Sequence, residues 1–162
     1  MTEVGKVQNI LLLLGSILLC NLIGGLGSVF TQTGAGSWYQ TTLVKPWFVP
    51  PGIVFPIAWT ALFILMGIAL WYLIRTRDEP EGRTALLLFG TQLILNLLWS
   101  YLFFGLQSPL FALVEILALI GVLIALVTIS FRVQKTAGYL LIPYLAWVCF
   151  ATVLNAAIVM LN

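Results

Sequence analysis

The sequence contains no histidine. That removes the usual general base near neutral pH and the commonest metal ligand. Charge is almost as scarce. Asp, Glu, Lys and Arg together make 7% of the 162 residues, against about a quarter in an ordinary soluble domain. So few polar groups cannot cover a water-facing surface, and with 62% hydrophobic residues the chain reads as a membrane protein. The net charge is only +2, and no basic cluster suggests a nucleic-acid partner. The two cysteines, Cys20 and Cys149, fall in different apolar runs without CxxC-type spacing. Buried thiols are expected from them rather than a disulfide or a metal site. No nucleophile–base constellation is visible. Serines and threonines are scattered, and the acids Asp78, Glu79 and Glu81 share a polar loop with Arg75, Arg77 and Arg83. Hydrolytic and metal-assisted chemistry therefore find no support. Neither a cofactor nor a metal is expected.

What the chain does have is long apolar runs. A helix crossing a bilayer needs roughly 20 apolar residues. Five segments qualify, at about 8–30, 53–74, 84–104, 109–131 and 138–161. Their ends are set only to within a few residues. RTRDEPEGR (75–83), the turn from Gly105 to Ser108, and RVQKTAG (132–138) connect the later runs. Alternating strands are absent, which argues against a β-barrel. The expected fold is an all-α membrane protein, a bundle of five transmembrane helices in one integral membrane domain covering residues 1–162. Five spans place Lys6, Arg75, Arg77, Arg83, Arg132 and Lys135 on one side, leaving Lys45 alone on the other. Positive charge stays inside. The N-terminus is thus expected in the cytoplasm, and the first loop and the C-terminus outside.

The long first connection is the stretch around which the rest is organised. Trp38 to Trp59 (WYQTTLVKPWFVPPGIVFPIAW) holds four of the seven prolines and three of the six tryptophans. Prolines fix φ and remove donors, so Pro46, Pro50 and Pro51 cannot lie inside a regular helix. Aromatic rings on a stiffened segment bring large apolar area at little entropic cost. The expectation is an ordered lid at the mouth of the bundle. A loop whose aromatics sit at headgroup level is the alternative.

Polar residues at membrane depth are costly and usually face the bundle interior. Gln92, Asn96 and Trp99 share one face of the third helix. Pro56, Trp59 and Phe63 share one in the second. Pro143, Trp147, Ala151 and Leu154 or Asn155 share one in the fifth. If these stripes converge, they make an aromatic pocket with a few amides to orient a ligand. The other outcome is that the amides bridge helices and the indoles fill a core. Glu115, the one acid inside an apolar run, is placed for a dipole contact near the start of the fourth helix, or for capping neighbouring donors. A proton relay would need a partner at similar depth, and none is visible. Ser16, Cys20, Gly24 and Ser28 form a ridge of small residues that suits close helix packing, either within one bundle or in a homodimer.

Several short motifs follow one another along the chain: WY (38–39), L-x-KP (43–46), PP (50–51), Trp59, Q-x-x-x-N-x-x-W (92–99), FFG (103–105) and PYLAW-x-x-FAT-x-LN (143–155). On these the chain resembles the TspO/MBR family, the translocator protein or peripheral benzodiazepine receptor family, from about Gly27 to Asn155. The resemblance implies a five-helix bundle, often dimeric, whose first loop folds over a pocket. It implies binding of porphyrins such as protoporphyrin IX and of other flat hydrophobic ligands. Some bacterial members are associated with light- and oxygen-dependent porphyrin breakdown, with pocket tryptophans implicated. By matching motif these are Trp59 and Trp147, the catalytic candidates if there is catalysis. Other matched pocket positions are Ser28, Trp38, Asn96, Trp99, Phe111, Ala151 and Leu154. Phe63 joins them from the helix stripe. Lys45 joins them as the one nearby cation able to meet a propionate. Departures exist. One extra residue separates Tyr39 from L-x-KP, and Phe48 stands where tryptophan is common. Ala156 replaces the tyrosine of the animal cholesterol motif, with no basic residue after it. That favours a microbial member over a sterol carrier. A ligand-binding transporter or sensor is the first reading, photo-oxidative degradation the second, and a structural subunit without ligand the third.

Overall fold

A computed structural model of the chain describes residues 3–162. Its long helices are α1 (Glu3–Phe30), α3 (Val54–Ile74), α4 (Pro80–Ser100), α5 (Pro109–Val133) and α6 (Lys135–Leu161). The one-turn helix α2 (Trp38–Thr41) lies in the first connection. All five long helices are long and apolar enough to cross a membrane. The protein is a multi-pass integral membrane protein, with lipid as the environment of its outer faces.

The helices close into a ring in the order α1, α3, α6, α5, α4 and back to α1. Leu11, Leu14, Leu18 and Leu22 of α1 face outward, as apolar side chains in lipid can without cost. The small-residue ridge faces inward. Ser16 and Cys20 are buried, and a Cβ on Gly24 would enter the ring of Phe63. On the facing helix, a Cβ on Gly67 would land on the backbone of Ile17. The ridge is therefore occupied by the α1–α3 contact within one chain. Cys20 and Cys149 are both free, the first buried and the second exposed.

The helices run further than the apolar runs. α4 begins at Pro80, where a missing N–H costs nothing. α5 and α6 are joined by Gln134 alone, so most of RVQKTAG is helical. Gln134 is extended (φ −157°, ψ 93°), and its carbonyl accepts from the N–H groups of Ala137 and Gly138 in the first turn of α6. Arg132 and Lys135 do not break a helix; long basic side chains can lie along it and reach the interface.

Beyond Ser100, α4 widens into a π-helical turn over Tyr101–Gly105, closed by Leu106 N–H donating to the Tyr101 carbonyl at 2.8 Å. A wider turn brings neighbouring side chains closer in angle, and the adjacent Phe103 and Phe104 both face inward. Gln107 follows with φ of 51°, turning the chain into α5.

Two apolar clusters fill the ring. The larger runs from the charged end to mid-depth, with Met66, Leu73, Leu123, Leu126, Leu141 and Tyr144 fully buried. The smaller, Leu43, Phe103, Ala112, Leu154 and Ile158, carries the connector on its outer surface through Trp38, Tyr39, Phe48 and Val49. Glu115 lies in the first two turns of α5, as the dipole expectation requires, but departs from the capping expectation. It is buried in α5, and neither carboxylate oxygen finds a partner among the described residues, so it caps no donor.

Candidate functional site

Between the two clusters the interior of the ring is not filled, and a cavity of about 710 Å³ remains. Small-molecule sites typically span roughly 300–1,000 Å³. Its roof is the connector, through Tyr39, Gln40, Lys45, Val49 and Pro50. One wall is α1, where Gly24, Gly25, Gly27 and Ser28 carry little side chain to fill it. The remaining walls come from α3, α4 and α6.

The aromatic stripes of α3 and α6 do meet. Trp59 stacks on Phe63 with centroids 5.4 Å apart at 26°, and meets Trp147 edge to face at 6.4 Å. Phe55 closes on Trp147 at 6.1 Å. Across the hollow, Trp99 stacks on Phe103 at 5.1 Å and 26°. Each indole is half-buried, with one side against the core and one side on the cavity.

Hydrogen bonds hold this arrangement. Trp99 Nε1 donates to Asn155 Oδ1 at 3.1 Å, and Asn155 Nδ2 donates to the Pro109 carbonyl at 2.8 Å. One amide thus ties α4, α6 and the start of α5. Asn96 Nδ2 donates to the Tyr144 hydroxyl at 3.0 Å, tying α4 to α6 beneath the cavity. Amides that bridge helices and amides that line a pocket turn out to be the same residues. Gln92, one turn below Asn96, is fully buried and off the cavity.

Electrostatics at the mouth come from one side chain. Among the described wall residues, Lys45 is the one that carries charge. Its ammonium donates to Gln40 Oε1 at 2.9 Å and lies 4.5 Å from the centroid of the Tyr39 ring. Burial pushes the Tyr39 phenol above its ordinary pKa. It therefore stays neutral and offers Lys45 a π face. Neither partner cancels the positive charge.

Of the positions singled out from sequence, Ser28, Lys45, Trp59, Phe63, Asn96 and Trp99 reach the cavity surface. Trp147, Ala151 and Leu154 of α6 do so too. Two do not. Phe111 is 62% exposed on the outside of α5, because the helix phase set from Pro109 gives the inward place to Ala112. Trp38 packs edge-on against Phe103 at 6.1 Å, behind the wall. Sequence reasoning missed Tyr39, Phe55, Phe103 and Phe104, and left Asn155 as an alternative to Leu154 on the α6 stripe. Tyr39, Phe103 and Phe104 lie in the motifs WY and FFG, and Phe55 lies one turn before Trp59 on the same face, so each carried a signal.

Comparison with known proteins agrees with this architecture. The TspO/MBR family profile matches residues 16–161. The chain is 49% identical over 157 residues to the tryptophan-rich protein TspO of Chlorobaculum tepidum, covering 96% of this chain and 98% of that one. It is 38% identical over 125 residues to a tryptophan-rich sensory protein of Cereibacter sphaeroides, covering 77% of each. It is 36% identical over 143 residues to the translocator protein of Bos taurus, covering 87% of this chain and 84% of that one. With five membrane-spanning helices in a ring, a proline-stiffened roof and this match across nearly its whole length, the chain belongs to the TspO/MBR family.

Proposed function

We propose that the protein binds flat, apolar tetrapyrroles of the protoporphyrin IX type in the cavity beneath the connector. The ligand class comes from the family resemblance, and the cavity supplies the physical reason. A porphyrin is a broad aromatic plate with two carboxylates at one edge. Trp59, Trp147 and Trp99 offer indole surfaces to the plate. Lys45 offers a charge-assisted hydrogen bond to a carboxylate at the mouth. The observation that carries the reading is this pairing of an aromatic, largely apolar wall with one cation at its rim. The excess of basic residues at the opposite end supports a connector facing away from the cytoplasm.

The test is titration of the purified protein with protoporphyrin IX in darkness, read by quenching of tryptophan fluorescence. Saturable binding is expected. Lys45→Ala should weaken it about fivefold, with less effect at high salt. Unchanged affinity in that variant would mean that no carboxylate sits at Lys45.

A second reading, transport aside, is photochemical. Trp59 and Trp147 touch each other and line the same cavity, so an indole is placed to pass an electron to a photoexcited porphyrin. Illumination in the presence of dioxygen would then bleach the bound pigment. Trp59→Phe should retain dark binding and lose the bleaching.

A further inference from the structure

The side chain of Asn162, just past the end of α6, reaches back to the connector. Its Oδ1 accepts from the Val44 N–H at 3.0 Å, and its Nδ2 donates to the Val44 carbonyl at 3.0 Å. The same Nδ2 donates to the Ile158 carbonyl at 2.8 Å, which keeps the amide fixed to the last turn of its own helix. A single amide thus pairs with both backbone groups of one residue, as a neighbouring strand would. No other partner for these two groups occurs among the described residues. Val44 itself is 53% exposed, so apolar burial does not hold it. Its neighbours are different: Leu43 is buried on the smaller cluster, and Lys45 stands in the cavity roof.

We propose that Asn162 is a latch: by clasping Val44 it holds the connector down over the cavity and fixes the backbone of Lys45 at the mouth. Asn162 is not part of the cavity wall, so it acts on access and position through Val44. Entry and exit wait on the breaking of this clasp. The rest of the roof is held by side-chain packing that can pivot, whereas the clasp is directional and is lost as a unit.

The latch can be tested without any porphyrin. A cysteine is placed on the cavity wall by Ala151→Cys in a Cys149→Ser background, and its labelling by a small thiol reagent is timed. Adding Asn162→Ala should speed labelling about five- to thirtyfold, as expected for two net hydrogen bonds. Asn162→Asp keeps the acceptor for the Val44 N–H but loses the donor, and should fall between. Cys20, buried in the larger cluster, is the internal control and should remain unlabelled. Unchanged labelling at position 151 would overturn the latch, and so would labelling of Cys20 in step with it, which would mean general unfolding. The link to ligand rests on the proposed binding function. There, protoporphyrin association and dissociation should both accelerate in Asn162→Ala, with Kd weakened by no more than the roughly fivefold expected of Lys45→Ala. Labelling that speeds while porphyrin rates stay fixed would overturn the gating of ligand. The labelling result stands even if the parent protein binds no porphyrin, so the two readings fail separately.

Discussion

The two ends of this bundle are built from similar helices and treat their interiors in opposite ways. At the end with the charged connections, the helices close on one another. Gly82 packs onto the Thr76 carbonyl, Gly138 onto the ring of Phe131, and a single residue joins α5 to α6. At the other end a 710 Å³ hollow stays open, and its roof is a proline-stiffened connector rather than helix ends. Leucine fills the first region and half-buried indoles line the second. The difference teaches that helix contact is concentrated in one half, which leaves the other half free to keep aromatic surface on a cavity, where the proposed ligand would bind.

The strongest way to break that division is at the α1–α3 crossing. Gly67 faces the backbone of Ile17, which cannot rotate away as a side chain can. Gly67→Leu should cost about 3 kcal/mol or more, since overpacking here must separate two helices. A fall in thermal midpoint in detergent would show it. Binding should fall as well, because α1 forms a cavity wall. Gly25 of α1 is the contrasting position. A Cβ there would meet no atom within 4 Å, so Gly25→Ala should not lower stability and, inside a helix, should raise it by up to about 1 kcal/mol. Equal effects at both positions would erase the contrast between packed and open surface.

Next in size is Trp147→Ala. Its ring has one side on the core and one on the cavity, so stability should suffer less than binding. Porphyrin affinity should fall about 30-fold, the loss typical of a buried aromatic anchor worth about 2 kcal/mol. A fluorescence titration measures it. An unchanged Kd would place the ligand elsewhere.

Asn155→Leu sharpens the comparison from within the open half. It leaves Trp99 Nε1 and the Pro109 carbonyl without their partner. A buried group left unpaired costs about 1–3 kcal/mol. A loss of stability of that size, read as a lower thermal midpoint, is expected, with affinity down about threefold. Affinity lost without any change in midpoint would mean that the amide contacts ligand directly rather than holding Trp99.

How much of this could be read from residues alone follows from what each signal encodes. The five spans were legible because crossing a bilayer demands a long apolar run, and nothing else in the chain imitates one. Their ends were not. Arg132 and Lys135 look like loop by polarity, yet charge at an interface is compatible with helix. In the site, helical spacing correctly grouped Trp59 with Phe63 and Trp147 with Ala151, and these groups do meet at the cavity. Phe111 came in with the positions matched to the family and not from spacing, and the phase of α5 turns it outward while Ala112 faces in. The π turn at Tyr101–Gly105 and the pairing of Asn162 with Val44 had no local signature. The first depends on one displaced hydrogen bond, and the second joins residues 118 positions apart.

The smallest expected effect belongs to the charged end, where Arg132 Nη1 lies 3.7 Å from Glu81 Oε1. Both side chains are more than half exposed, and exposed pairs are worth about 0–1 kcal/mol. Arg132→Gln should therefore move the thermal midpoint by no more than about 4 °C. On the orientation proposed above, the residue is expected to act on topology instead. It is one of six basic residues at that end, against Lys45 alone at the other, and basic residues near span ends keep their loops in the cytoplasm. Removing Arg132 leaves five, so topology should persist, and neutralising all six should invert part of the population. Cysteine accessibility at Thr41 reads that inversion directly. A large midpoint shift in Arg132→Gln alone would mean that the packed half depends on ion pairing, and the stability of the bundle would then need a different account from helix contact.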